Sequence, residues 1–298
     1  LCAREQTWSS GRGSQGVFRP REGNRMSMKR SQRLAEGEVR VSNAWRAFEK
    51  AIKEIRSEET GEAMMALATR LFPICRSVTG EGVRQTLEIL GETVTLNLQS
   101  APTGYQAFDW TVPREWNIRD AYVKNERGQR VIDFRDCNLH VINYSSPVRA
   151  WMNLEELRPH LHARPELPDA IPYVTTYYEE RWGFCLSWND LEGIPEGRYE
   201  VVIDSSLVEG QLTFADSLLK GRSNREVLLS TYVCHPSMAN NELSGPVVSA
   251  FLYRLLREMD LRYTYRFVYA PETIGALVYL SRHGEDLCSN LEAGYILT

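Results

Sequence analysis

The sequence lacks the marks of several common protein classes. No apolar run approaches the roughly 18 residues that cross a bilayer, and the N-terminus has no apolar signal core. The six cysteines show no CxxC spacing, which argues against a zinc ribbon or a disulfide framework. There is no glycine-rich phosphate loop, and Ser244 has no strand-to-helix elbow. We therefore expect a soluble, cytoplasmic protein with reduced thiols and no membrane partner.

Charge is spread unevenly along the chain. The 298 residues carry 35 Lys and Arg against 39 Asp and Glu, a formal net charge of −4. Residues 1–40 hold nine basic and four acidic side chains, a net of +5, so the remainder carries −9. Within this basic arm, residues 11–16 and 19–25 are rich in turn residues and offer no aromatic interleaving for base stacking. We predict that residues 1–41 are disordered and that the chain does not bind nucleic acid.

Two sections with different periodicity follow the arm. Apolar residues at three- and four-residue spacing predict helices between residues 42 and 90, and a first strand completes a section at 42–105. Residues 106–200 contain short alternating runs rich in aromatic and β-branched residues, including one at 139–144, with a hairpin turn at 125–128. A helix is predicted at 153–161 within them. This section is therefore predicted to be an inserted β-rich domain.

Strands and helices alternate in the last section, residues 201–298. The pattern predicts strands at 226–233, 263–269 and 293–297, with helices at 243–259 and 274–287. The strands are almost continuously apolar, as in sheets that helices cover on both faces. We predict an α/β fold with a mostly parallel sheet flanked by helices. Because the chain stops at Thr298 on the last strand, we expect this core to be incomplete there.

Polar side chains follow two of these strands. His235 comes directly after the first and Glu272 after the second, and the carboxyl ends of parallel strands face one crevice. An imidazole with a carboxylate in reach is a common zinc arrangement. Helix capping by Asn241 and Glu242, and a helix-dipole role for Glu272, remain alternatives. Cys234 precedes His235 on the strand, so its buried thiol is expected to point away from the ring.

Several motifs in combination resemble a bacterial and archaeal family of uncharacterised aminopeptidase-like proteins. The motifs are LFPICRSVTG (71–80), FDWTVP (108–113), YEERWGFCLS (178–187), CHPSMANNELSGP (234–246) and PETIG (271–275). The resemblance covers roughly residues 63–298. It implies a zinc-exopeptidase domain of the bacterial leucyl aminopeptidase type that carries an inserted β-rich domain. In full-length members a winged helix follows at the C-terminus.

The resemblance also implies roles for individual residues. His235 matches the first zinc-binding histidine, and Glu272 matches the first of two consecutive glutamates, the general base. Asn241 stands where the wider clan has a metal-bridging aspartate, and Glu242 follows it and could supply the missing negative charge. The implied metal ligands are therefore His235, Asn241 and Glu242. Glu272 is implied as the catalytic base, with a ligand role as the alternative.

We therefore expect a zinc-dependent, aminopeptidase-like hydrolase in which an activated water attacks a peptide or small amide bond. Two zinc ions are implied for a full-length relative, and weak or no zinc binding for this chain. A further acidic ligand, a late histidine and the winged helix are expected beyond Thr298. The alternative is a non-catalytic peptidase-fold protein that recognises a peptide or a glycan, and homo-oligomerisation remains open.

Overall fold

The computed structural model describes residues 45–298, so the predicted disordered arm at 1–41 lies outside the described residues. Residues 50–298 form one compact unit, whereas residues 45–49 are grouped with the preceding part of the chain. None of the helices in the described part combines the length and apolar character needed to cross a membrane.

The helices are α1 (residues 45–55), α2 (Glu58–Leu71), α3 (Glu81–Gly91), α4 (Leu154–Leu157), α5 (Trp188–Glu192), α6 (Ser244–Leu256) and α7 (Ile274–Asn290). The strands are β1 (Asn97–Pro102), β2 (Gln106–Ala107), β3 (Trp110–Thr111), β4 (Glu115–Asn125), β5 (Arg130–Asp133), β6 (Val148–Asn153), β7 (Leu161–His162), β8 (Phe184–Cys185), β9 (Arg198–Val208), β10 (Gln211–Leu219), β11 (Glu226–Tyr232), β12 (Thr264–Ala270) and β13 (Leu291–Leu297).

A five-stranded sheet in the order β1-β10-β12-β11-β13 forms the centre of the unit. β11 pairs in parallel with β12 and β13, whereas β10 pairs antiparallel with β1 and β12. One apolar core joins the sheet to α2, α3 and α6, and another joins its opposite face to α7. Burial on both faces explains why β12 is apolar almost throughout. The predicted α/β fold is confirmed, in a sheet of mixed direction.

A second, antiparallel sheet has the order β5-β4-β9-β6 and lies between β1 and β10 in sequence. The predicted hairpin joins β4 to β5, where the Asn125 side chain accepts hydrogen bonds from the backbone of Arg127 and Gln129. Its strands pack over a separate apolar core. Both sheets belong to the same compact unit, so the proposed domain boundaries at residues 106 and 200 stay a prediction.

Two predictions for this region are wrong, one in the type of the element and the other in its length. Residues 139–144 do not form a strand: a 3₁₀ turn covers Asn138–His140, and isolated bridges follow. The Asn138 side chain donates a hydrogen bond to the Pro73 carbonyl oxygen, and the Asn143 side chain donates one to the Arg76 carbonyl oxygen. These two bonds hold the segment against the loop before α3. The predicted helix at 153–161 ends at Leu157, because Pro159 cannot donate the next helical hydrogen bond.

Gly80 makes a close approach that only glycine permits. Its φ is +98°, and a Cβ atom placed there would lie 2.1 Å from the Trp116 carbonyl oxygen. We expect Gly80→Ala to lower the free energy of unfolding by about 3 kcal/mol, from backbone strain and the clash together. Urea titration would measure the loss.

Gly61 in α2 provides the matched control, because a Cβ atom there has no neighbour within 4 Å. Gly61→Ala should raise the free energy of unfolding by about 0.5–1 kcal/mol through better helix propensity. Equal effects of the two substitutions would contradict the steric explanation.

Candidate functional site

Two loops at the carboxyl ends of β11 and β12 meet at one edge of the central sheet. The last residues of these strands, Tyr232 and Ala270, are direct partners in the parallel ladder. His235 and Glu272 follow shortly after them, and His235 Nε2 lies 3.2 Å from Glu272 Oε2. The structure therefore brings together the two residues that the strand pattern pointed to, at the strand ends where open α/β sheets bind ligands.

A second carboxylate contacts the other side of the imidazole ring. Glu242 Oε2 lies 2.9 Å from His235 Nδ1, and Glu242 is only 1% exposed. Both ring nitrogens of His235 thus face carboxylate oxygens, although a neutral imidazole has a single N–H. In the neutral ring, therefore, only one of the two nitrogens donates a hydrogen to its carboxylate.

The backbone around the site departs from regular geometry. Glu242 lies at a kink within Ala239–Leu243, where its φ is 158°, and its side chain is buried. Ser237 and Thr273, in the same two loops, have φ values of 42° and 58°. Such conformations are costly for residues other than glycine and concentrate at functional sites. These three are among five such residues in the described chain.

Arg76, in the loop between α2 and α3, completes the buried part of the site. Its side chain is fully buried, and its Nε donates to the His235 carbonyl oxygen at 2.9 Å. The same Nε lies 3.4 Å from Glu242 Oε1. The sequence analysis gave Arg76 no role, yet a signal was available: it follows a mostly apolar stretch, where a buried guanidinium requires a carboxylate partner.

Asn241 lies at the exposed side of the site. Its side-chain oxygen accepts a hydrogen bond from the Tyr232 hydroxyl, and the Tyr232 ring meets the His235 ring edge to face at 5.2 Å. The ring of Tyr173 makes a similar contact with His235 at 5.1 Å. The proposed ligand role of Asn241 stays a prediction.

The thiol of Cys234 faces the site, so the expectation that it points away from His235 is wrong. Its Sγ lies 3.6 Å from His235 Nδ1 and accepts a hydrogen bond from the Glu272 backbone N–H at 3.2 Å. The alternation of a strand no longer applies, because β11 ends at Tyr232. Burial, with the nearby Glu242 charge, raises the pKa of Cys234 well above its usual range. The thiol is therefore protonated at neutral pH and is a poor nucleophile.

Zinc in proteins takes nitrogen, sulfur or oxygen donors in a tetrahedral arrangement. Cys234, His235 and Glu242 form a buried group whose ligand atoms lie within 4.8 Å of one another. This group does not fit zinc, because both Glu242 oxygens are already engaged, Oε1 by Arg76 and Oε2 by His235 Nδ1. The two donor atoms at the exposed side of the site, His235 Nε2 and Glu272 Oε2, fit zinc better. Donors that share a tetrahedral zinc lie roughly 3.3–3.6 Å apart, close to the 3.2 Å between His235 Nε2 and Glu272 Oε2.

The sequence and the fold were compared with known proteins. A family model described as "Domain of unknown function (DUF4910)" matches residues 65–298. The chain belongs to the DUF4910 family. A Clostridium acetobutylicum protein, whose description names polysaccharide biosynthesis and an aminopeptidase-like domain, is 48% identical over 242 residues. The match covers 81% of this chain and 56% of that protein, so the chain spans little more than half of this relative.

Solved structures show the same fold. A crystal structure described as a peptidase from Clostridium acetobutylicum superposes with a TM-score of 0.81 at 47% identity, over 83% of this chain and 59% of that one. A Shewanella amazonensis peptidase M28 precursor gives 0.56 at 11% identity, over 85% and 73%. A zinc aminopeptidase from Bacillus subtilis gives 0.52 at 10% identity, over 79% and 67%. This DUF4910 chain therefore has a peptidase-like α/β fold.

Proposed function

We propose that the site at the ends of β11 and β12 hydrolyses a peptide or small amide bond with the help of zinc, as an aminopeptidase-like hydrolase. The observation that carries the proposal is the position of the His235 ring. Its Nε2 lies 3.2 Å from Glu272 Oε2, and its Nδ1 lies 2.9 Å from Glu242 Oε2. Metal-binding histidines commonly bond a carboxylate through the second ring nitrogen, which is the place of Glu242 here. The aminopeptidase-like relative and the fold support the same proposal.

Each residue has a role that follows from its place. His235 Nε2 would hold the ion, and Glu242 fixes the ring orientation through Nδ1. The Glu272 side chain is 54% exposed, so it is accessible to water and would take a proton from the attacking water. Zinc, when bound, supplies Lewis acidity that polarises the carbonyl and makes water a better nucleophile.

Zinc binding by the purified chain tests this proposal. With His235 Nε2 as the ligand at this site, we expect weak, saturable binding in isothermal titration calorimetry, and His235→Ala should abolish it. His283 lies on α7, beside Tyr279, so His283→Ala is the control that should leave binding unchanged. Absence of binding at millimolar zinc, or equal binding by His235→Ala in a folded state, would count against the zinc hydrolase.

A second candidate, a binding protein without catalysis, is favoured by a different observation. Trp110 and Tyr178 form an aromatic pair with ring centroids 5.3 Å apart, and Tyr178 is 65% exposed. Phe108, at the turn between β2 and β3, is 61% exposed. Exposed aromatic faces of this kind suit an apolar peptide side chain or a sugar ring. Intact folding without any zinc binding would favour this candidate over the hydrolase.

A further inference from the structure

Glu242 and Arg76 form a charge pair that the proposed hydrolytic role does not by itself require. The side chains of both residues are fully buried. A buried carboxylate is stable only with a partner of opposite charge or with several hydrogen bonds. Among the described residues, Glu242 Oε1 has no hydrogen-bond partner, and neither does Arg76 Nη2. The pair is therefore held by charge more than by hydrogen bonds.

We propose that Arg76 is the resident cation of this site, which neutralises Glu242 so that this carboxylate orients His235 instead of binding a metal ion. The site then takes at most one divalent ion, at His235 Nε2. This inference rests on the proposed function and names the form of its metal centre. It assigns to Arg76 the charge that a second ion would otherwise supply.

The guanidinium keeps its charge in this position. Burial lowers the pKa of Arg76, and the negative charge of Glu242 opposes that effect. Arginine nonetheless stays protonated at neutral pH in proteins. Its Nη1 donates to the Leu71 carbonyl oxygen at 2.8 Å, which fixes the group at the end of α2.

The arrangement decides which nitrogen of His235 is free. Glu242 Oε2 accepts the proton of Nδ1 at 2.9 Å, so the lone pair of the neutral ring lies on Nε2, the nitrogen that faces Glu272. Arg76 also holds the backbone of the same residue through the His235 carbonyl oxygen. A divalent ion at Glu242 would lie close to the guanidinium, where like charges repel strongly in a buried setting. Arg76 is thus a positioning residue that acts through Glu242 and His235.

A double-mutant cycle tests the charge pairing without any metal. Arg76→Gln leaves Glu242 buried without its cation, and Glu242→Gln leaves Arg76 without its anion. Each should lower the melting temperature by about 10 °C. The double variant Arg76→Gln/Glu242→Gln removes both charges and should recover more than half of the loss of either single variant. A double variant as unstable as the sum of the two singles would overturn the pairing.

Two further measurements separate this role from simple packing. In ¹⁵N NMR spectra at one neutral pH, Arg76→Lys should keep the proton of His235 on Nδ1, as in the unaltered chain, whereas Arg76→Gln should lose that preference. A tautomer that is the same in all three proteins would overturn the positioning role. Zinc titration of the unaltered chain should give no more than one ion, and two tightly bound ions would also overturn it. Failure of the zinc hydrolase proposal would appear as absent zinc binding, while the cycle would still report the pairing.

Discussion

Replacing Glu272 with Gln should lower hydrolytic turnover by a factor of about 10²–10⁴, the usual contribution of a general base. Gln keeps the shape of the side chain and one carbonyl oxygen, but it cannot accept the proton of water. Because the Glu272 side chain is 54% exposed, the substitution should leave the fold intact. The measurement is hydrolysis of a panel of aminoacyl p-nitroanilides at saturating zinc, with zinc affinity determined on the same preparations.

Zinc affinity distinguishes the two roles open to Glu272. If the residue is the base, Glu272→Gln loses turnover and keeps zinc affinity. A large drop in zinc affinity would instead make Glu272 a ligand and contradict its assignment as the base. Glu285→Gln on the exposed surface of α7 is the matched control and should change neither quantity.

Replacing Arg266 with Met should lower the free energy of unfolding by about 3–5 kcal/mol. Arg266 on β12 is 6% exposed and binds Glu226 with two hydrogen bonds of 2.6 and 2.9 Å. It also donates to the Tyr279 hydroxyl, which in turn donates to Asp216. Burial by itself lowers the pKa of Arg266, but the hydrogen bonds to Glu226 and Tyr279 outweigh it and raise the pKa. Without the guanidinium, two buried carboxylates lose their cation.

Arg119 supplies the matched control for this loss. It makes two hydrogen bonds to the Asp204 carboxylate, as Arg266 does to Glu226, but the Arg119 side chain is 77% exposed. Arg119→Met should lower the free energy of unfolding far less than Arg266→Met does, because water screens an exposed pair. Chemical denaturation of both variants gives the comparison, and similar losses would mean that burial does not set the strength of the Arg266 network.

The sequence was sufficient to predict the elements that carry the site. The structure forms four of these elements close to their predicted positions: β11, β12, α6 and α7. Apolar strands that alternate with amphipathic helices are compatible with few folds other than a helix-covered sheet. The meeting of His235 with Glu272 followed from the parallel direction of two neighbouring strands.

Other parts of the site depend on contacts that the local pattern does not contain. Arg76 and His235 are separated by 159 positions, so no local rule connects them. Glu242 lies at a kink with a φ of 158° and its side chain is buried, whereas its position before α6 suggested an ordinary helix cap. The segment at 139–144 alternates like a strand, but the hydrogen bonds of Asn143 to the Arg76 loop hold it outside the ladder. Side-chain bonds of this kind override strand periodicity.

The contact of Cys234 with both loops has a practical consequence. Cys234 is 1% exposed and its sulfur accepts a hydrogen bond from the Glu272 backbone N–H, whereas Cys288 near the end of α7 is exposed. A thiol reagent should therefore modify Cys234 far more slowly than Cys288, and the labelling rate of Cys234 should report local opening of the two loops. The Cys234 thiol can therefore serve as a probe of how accessible the His235 ring is.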